Sequence, residues 1–375
     1  MYECLFPCLI YFKSFIVSYI LAIETAVPKY QHKQTGIATF FQNQTSDVDL
    51  KRKIKYVSDK SGIEKRYSVI NDFEVSTSDK ELFIDGLQAL PSLTKRMELY
   101  KLNAINLAVE AIQKIDDFQN LKSSITHIIT VTCTGLFAPG LDIELIQKLQ
   151  LKPNAQRSSV NFMGCNAAII ALNQASAICN SFANSKVLIV CVELCTIHFQ
   201  DNSTEDNIVS NALFADGASA VLISLEPKKV GSFPLIKIEK FSSFIINQSQ
   251  GEMAWQLSET GFLMNLSSYV SKLVNGNMVQ FFKDSKLDTK NVDFWAIHPG
   301  GKKIVDEFAE VLNLKNNELN SSYEILKNYG NMSSPTILFV LKHLVSSNEI
   351  KAGKTIFTAA FGPGLSIETM QLKYV

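Results

Sequence analysis

Excess charge of either sign is what this sequence most plainly lacks: 36 basic residues meet 36 acidic ones, for a formal net charge of zero at pH 7. No long basic run appears, so the electrostatic footprint of a nucleic-acid binder is missing. Histidine is scarce, with 5 in 375 residues, and the 7 cysteines, at positions 4, 8, 133, 165, 179, 191 and 195, form no Cys-x-x-Cys pair. A zinc site and a disulfide scaffold both need tighter clustering than that, so neither is expected. Cysteines set among apolar residues fit a reducing cytoplasm instead. Low-complexity linkers are also absent, and the length suits one large unit or two domains of ordinary size.

The opening run, MYECLFPCLIYFKSFIVSYILAI, is apolar, but Glu3, Pro7 and Lys13 interrupt it and no clean cleavage site follows. It reads as a short extension, residues 1–16, ahead of a first core strand, Val17–Ile23, and no stable membrane insertion is expected. Beyond it a polar stretch, Gln31 to Asp79, reads as helices and loops and carries Lys53, Lys55 and Lys60 in a basic-rich segment. Leu93–Lys114 has helical apolar spacing, and Ile125–Val131 is a β-branched run ending in Thr132-Cys133-Thr134-Gly135. Leu141–Leu149 reads as a helix, Lys186–Val192 as a buried strand, and Ala212–Leu225 as a turn broken by Asp216-Gly217 that leads into another strand. Pro227 to Phe233 marks the seam between a first half, 17–229, and a second, 230–375.

The organising stretch is Ser158 to Asn180. Val160 to Met163 ends a strand, Gly164 supplies a tight turn, and a Pro-free, Gly-free helix runs on from Asn166. Cys165 thus stands at the junction, where helix N–H groups favour a thiolate. A cysteine in apolar surroundings is most often a small buried hydrophobe. Its partners downstream distinguish this one.

After the seam the pattern returns. Val292–Ile297 reads as a strand ending in His298-Pro299-Gly300-Gly301, followed by a helix, Lys302–Leu312. Gly330-Asn331 opens a helix, Met332–Val345, and Lys354–Ala360 is a buried strand ending in Phe361-Gly362-Pro363-Gly364. Thr132 to His298 and Cys165 to Asn331 share one offset of 166 residues, and Lys186 to Lys354 is only two residues longer. Three elements repeating in order predict two related α/β halves, facing each other about a pseudo-two-fold axis. Cys165, His298 and Asn331 then converge near that axis. A thiolate can take an acyl group from a thioester, an imidazole can hold the sulfur ionised, and imidazole and carboxamide N–H groups can stabilise an enolate oxygen. Taken alone, His298 is as readily a loop histidine and Asn331 a helix N-cap; their register with Cys165 favours chemistry.

At these residues the chain resembles the type III polyketide synthases, the chalcone and stilbene synthase-like branch of the thiolase superfamily. The likeness runs from about Ser18 to the C-terminus. It rests on Thr132-Cys133-Thr134-Gly135 with Pro139-Gly140, Gly164-Cys165, Asn211-Ala212-Leu213-Phe214-Ala215-Asp216-Gly217, His298-Pro299-Gly300-Gly301, Gly330-Asn331-Met332-Ser333-Ser334 and Phe361-Gly362-Pro363-Gly364. The resemblance implies a five-layered αβαβα fold and a homodimer that uses acyl-CoA and malonyl-CoA, with no cofactor beyond those thioesters. By match, Cys165 resembles the nucleophile, His298 and Asn331 the decarboxylation and oxyanion pair, and Phe214 the aromatic gatekeeper. Lys53, Lys55 and Lys60 fall where the family binds CoA, although Tyr56 takes one commonly basic place. Gly300 and Gly301 would let the pantetheine arm approach the backbone. Phe361, Gly362, Pro363 and Gly364 resemble the cyclisation loop, and Thr134 and Ser333 line the family's cavity.

The departures bear on substrate. Met264 stands for a second gatekeeper phenylalanine, Trp255 for a small cavity residue, and Ala360 for a glycine. Cys195, Ile197 and His198 occupy the cavity floor, and the Cys133-Thr134-Gly135 form looks more bacterial than plant. Cys133 and Ala138 would open a tunnel for an aliphatic chain while Trp255 limits growth. The expected outcome is an aliphatic starter, few extensions and an alkylpyrone or alkylresorcinol-like product. Two alternatives stay open: a β-ketoacyl synthase III-like condensing enzyme and an inactive thiolase-fold assembly partner.

Overall fold

The run KVLIVCVEL forms a strand, Lys186–Leu194, buried along nearly its whole length. Val187, Ile189 and Cys191 face one apolar core, and Leu188, Val190 and Val192 face another. That two-sided burial is why the sequence shows a continuous apolar run here rather than alternation. The computed structural model describes residues 17–375 except 75, 76, 78, 79, 88, 202, 203, 248, 268, 269, 286–288, 348 and 349. The expected extension, 1–16, lies outside the described residues.

Lys186–Leu194 pairs in parallel with His127–Thr132 and antiparallel with Asp216–Ser224, which pairs antiparallel with Tyr19–Ala26. Thr355–Gly362 repeats the arrangement: parallel to Phe294–Ile297 and antiparallel to Ser366–Tyr374, which pairs antiparallel with Ile236–Ile245. The sequence repeat is therefore a repeat of topology. Tyr19–Ala26 and Ile236–Ile245 meet in the middle through two residue pairs, Tyr19 with Lys237 and Ile20 with Ile236. The order across the sheet, from the Phe294–Ile297 edge, is thus mirrored about this joint, and the first half adds one outer strand, Gln156–Asn161.

Helices complete the layers. Thr336–Val345, apolar almost all round, and the buried face of Ala167–Ser181 share one core between the halves. Leu93–Gln113 and Leu141–Leu149 cover the outer face of the first half. Val270–Ser285 and Lys302–Leu312 cover that of the second. This is the five-layered αβαβα, thiolase-like architecture.

Several boundaries differ from expectation. The first strand is Tyr19–Ala26 rather than Val17–Ile23. Asp216-Gly217 does not break a run; it starts the strand, because Ala212 and Leu213 belong to the preceding helix, Glu205–Leu213. The helix expected from Met332 begins only at Thr336, since Asn331 is held in a bridge to Phe214. The polar stretch hides a two-stranded sheet, Tyr30–Lys33 with Lys65–Ser68, and a hairpin, Met253–Ser258 with Gly261–Leu266, went unsignalled.

From the small sheet, fully buried Arg66 donates to Gln34 Oε1 at 2.8 Å and to the carbonyl oxygens of Asn211 and Phe214 at 2.8 and 2.6 Å. Burial lowers its pKa to about 9, with nearby Asp216 acting in the opposite direction. Asp216 itself accepts from Val69 N–H and from the Thr196 backbone and hydroxyl. Arg66 thus pins the C-terminal end of the Glu205–Leu213 helix to the body. Arg66→Met leaves three buried acceptors unpaired and should lower the unfolding free energy by about 3 kcal/mol. Urea denaturation reads this, and a loss below about 1 kcal/mol would remove Arg66 from that role.

Candidate active site

Gly164, at φ 84°, turns the chain between the Gln156–Asn161 strand and the Ala167–Ser181 helix and delivers Cys165 to the centre of the molecule. The turn requires glycine. A Cβ there would stand 2.1 Å from Pro363 Cδ, so the bare backbone is what lets the two halves close. Asn166 continues the contact by donating to Ser366 Oγ at 2.8 Å.

Asn331 reaches Cys165 from the other half. Its N–H donates to Leu213 O and its C=O accepts from Ala215 N–H, both at 2.9 Å, which places it beside Phe214. Its side chain is oriented by Ser333 N–H, which donates to Oδ1 at 2.8 Å, and by Gly300 O, which accepts from Nδ2 at 3.1 Å. Both ends of the amide lie 3.9 Å from Cys165 Sγ: the thiol can donate to Oδ1, and the second Nδ2–H can donate to the sulfur. His298 follows the Phe294–Ile297 strand and is 1% exposed. Among the described residues neither of its ring nitrogens has a hydrogen-bond partner. Cys165, His298, Asn331, Phe214 and Phe361 line one cavity of about 130 Å³. The three groups read from the sequence therefore share one pocket.

The resting electrostatics differ from the expectation. The helix starts at Ala167, two residues past Cys165, and burial outweighs its dipole. Burial pushes the Cys165 thiol up to about 11, with partial relief from the Ser333 and Asn331 side chains. Burial also pushes His298 down to about 3. Burial thus holds both groups neutral at rest.

Behind Phe214 lie two small chambers of about 20 Å³ each. Cys133, Thr134, Ser333 and Pro363 line the first and His198 the second; Cys195, Phe214, Met264 and Trp255 line both. Trp255 Nε1 donates to Cys133 O at 2.8 Å and so is fixed as a wall. His198 stacks on Phe262 at 4.3 Å, and its Nδ1 accepts from Phe262 N–H at 3.2 Å. That leaves Nε2–H to donate to Thr134 O at 2.8 Å, and burial holds the ring neutral.

Other assignments are corrected. Ile197 is wholly buried in the first-half core and lines none of these spaces. Ala138 lies on the surface, so it opens no tunnel within the chain. Lys53 is paired with Glu205, and Lys55 with Asp59 at 2.8 Å; neither lines the cavity, nor does Lys60. Gly300 and Gly301 do line it, and the lysine at its mouth is Lys303. Of the expected cyclisation loop, Phe361 and Pro363 reach the cavities while Gly362 sits under Asn166; Gly364 lines none.

Glu193 escaped the sequence reading. Fully buried, its carboxylate accepts from Cys133 N–H at 2.8 Å and from the hydroxyls of Thr134 at 2.7 Å, Thr132 at 3.4 Å and Ser334 at 2.6 Å. Burial still pushes it up to about 7. The available signal was a lone acid inside an apolar strand, a position where charge is rarely left unpaired.

Comparison with known proteins agrees with this geometry. The chalcone and stilbene synthase N-terminal domain matches residues 15–227, and the C-terminal domain of the same family matches 237–375. Among solved structures, the chain is similar to the C-terminal type III polyketide synthase domain of Steely1, a type I/III hybrid from Dictyostelium. The TM-score is 0.86 at 25% identity, over 96% of this chain and 99% of that one. It is also similar to PKS-I from the brown alga Ectocarpus siliculosus, with TM-score 0.85, 25% identity and the same coverage. The chain belongs to the chalcone and stilbene synthase family and is a polyketide synthase, a decarboxylative condensing acyltransferase. Among the described residues, no helix is long and apolar enough to cross a membrane.

His298→Ala removes the imidazole that lines the Cys165 cavity, so the burial that pushes the thiol up to about 11 is opposed only by Ser333 and Asn331 and the thiolate forms only at high pH. Iodoacetamide alkylation of Cys165 at pH 7 should then fall at least about tenfold from wild type and recover as pH rises. Equal rates at pH 7 would mean that the imidazole does not take the proton.

Proposed function

We propose that this member of the chalcone and stilbene synthase family loads an acyl-CoA starter onto Cys165 and extends it with malonyl-CoA. The observation that carries the reading is the meeting of a thiol, an unpartnered imidazole and an oriented carboxamide in one cavity. The first half, 17–229, supplies the nucleophile; the second, 230–375, supplies His298 and Asn331.

In loading, Cys165 Sγ gives its proton to His298 and attacks the thioester carbonyl. The carbon–sulfur bond to CoA breaks, and the departing CoA thiolate takes the proton from His298. Malonyl-CoA then loses carbon dioxide, and the electron pair released becomes an enolate. Its oxygen is held by a His298 ring N–H and the Asn331 Nδ2–H that faces Cys165. The enolate carbon attacks the Cys165 thioester, the bond to sulfur breaks, and the lengthened chain leaves on CoA. Asn331 suits this duty because an amide offers N–H without taking a proton.

Trp255 and Met264 divide the space behind Phe214 and leave little of it open. This favours a compact aliphatic starter and few extensions, closing to an alkylpyrone or alkylresorcinol-like product. No cofactor is needed beyond the CoA thioesters, which are cytoplasmic metabolites. A homodimer is favoured by the outer strand Gln156–Asn161, exposed along most of its length at the sheet edge, with exposed Met163 just beyond its end.

Cys165→Ala should abolish acyl loading yet retain carbon dioxide release from malonyl-CoA, whereas Asn331→Ala should cut that release by about a hundredfold. Radiolabelled malonyl-CoA reads both, and an Asn331→Ala variant that decarboxylates normally would sink the oxyanion assignment. Trp255→Ala joins the two chambers, so mass spectrometry of products from a panel of acyl-CoAs should show bulkier starters or longer chains. An unchanged product profile would dismiss Trp255 as the limit.

A further inference from the structure

Three free thiols, Cys133, Cys165 and Cys195, line one chamber behind Phe214. All three are buried, and the chamber, at about 20 Å³, has room for about one water-sized molecule. Of the three, only Cys165 also lines the larger cavity. A small polar reagent entering there therefore meets Cys165 first, with two more sulfurs on the chamber behind it. Acyl transfer uses one sulfur, which leaves Cys133 and Cys195 as nucleophilic groups without a duty.

Cys133 is the better placed of the two. Its Sγ accepts from Gly164 N–H at 3.0 Å, and Gly164 is the residue immediately before Cys165. The positive φ angles of Phe162 (58°) and Gly164 (84°) curl this turn, so the Cys133 sulfur rests in the bend that presents the Cys165 sulfur. Burial pushes the Cys133 thiol well above its ordinary range, while N–H groups of Gly164 and Phe162 work against that push. Cys195 opens a short 3-10 segment, and among the described residues no hydrogen bond ties it to the bend.

We propose that Cys133 is a modification site: the resolving thiol that joins Cys165 in a reversible disulfide when peroxide reaches the cavity. Cys165 Sγ attacks one peroxide oxygen, the O–O bond breaks, and a sulfenic acid and water result. The sulfur is oxidised and the peroxide reduced. Cys133 Sγ then attacks the sulfenic sulfur; the S–S bond forms, the S–O bond breaks, and the hydroxyl leaves with the Cys133 proton as water. Burial makes a ready Cys133 thiolate scarce, so the second step relies on a neighbour held in place at high effective concentration. The disulfide stops acyl loading, yet it keeps Cys165 from the irreversible sulfinic acid, and a dithiol reductant restores it. The first step rests on the reading of Cys165 as a nucleophile.

The test treats the purified full chain with hydrogen peroxide and maps its peptides by mass spectrometry before and after dithiothreitol. Wild type should give a linked Cys133–Cys165 peptide pair, about 2 Da lighter than the two thiols, and dithiothreitol should return Cys165 to iodoacetamide labelling. Cys133→Ser should instead carry Cys165 about 32 Da heavier, as the sulfinic acid, with at least about tenfold less labelling recovered. Cys195→Ser should form the linked pair as wild type does. No linked pair in wild type, a Cys165–Cys195 link in its place, or full recovery by Cys133→Ser would overturn the assignment. A Cys165 that labels with iodoacetamide but accepts no acyl group would instead overturn the proposed function, so the two failures are distinguishable.

Discussion

One buried carboxylate fixes the distance between the parts that must meet. Glu193 accepts from the Thr132–Thr134 segment of the first half and from Ser334 of the second, which lies three residues beyond Asn331. Four donors on one acid offset much of the cost of burying it, and without it each donor would be stranded in a dry core. The same crossing is tightened from the other side, where Gly164 admits Pro363 and Asn166 covers Gly362. Cys165 sits between these two ties. Its approach to Asn331 is therefore set by contacts that the reacting groups do not themselves make.

Dry surroundings then shape the chemistry. They hold the sulfur and the imidazole neutral at rest, and they strengthen whatever charge forms once a substrate arrives. Asn331 suits such a place, since Ser333 N–H fixes its oxygen and its amide presents both an acceptor and a donor to Cys165 Sγ. Phe214 shares a backbone bridge with Asn331, while Arg66 holds the Phe214 carbonyl. Phe214 and Asn331 are thus one rigid unit, anchored by a guanidinium that does not line the cavity.

The convergence of Cys165, His298 and Asn331 on one cavity was legible because their loops recur at one offset in two copies of the same strand–turn–helix pattern, and periodicity survives in a single sequence. The fold followed from the same signal: Lys186–Leu194 and Thr355–Gly362 are apolar runs that only two-sided burial explains. Glu193 was not legible, because one acid in an apolar strand reveals its duty only when donors from distant loops close on it. Ile197 was misread for a related reason. A residue beside cavity-lining Cys195 and His198 points the other way when the chain turns through a short 3-10 segment. Lys53 and Lys55 matched a basic run by position, but which carboxylates lie within reach of each depends on the packing of separate helices.

The joint between Tyr19–Ala26 and Ile236–Ile245 has a mechanical consequence. Its ladder is two residue pairs long, against seven or more between the strands on either side of it. Tension applied across the molecule would find its weakest seam there, so the Ala167–Ser181 and Thr336–Val345 helices must carry the load between the halves. A shear that slid one of those helices past the other would misalign sulfur and amide while each half kept its own sheet intact.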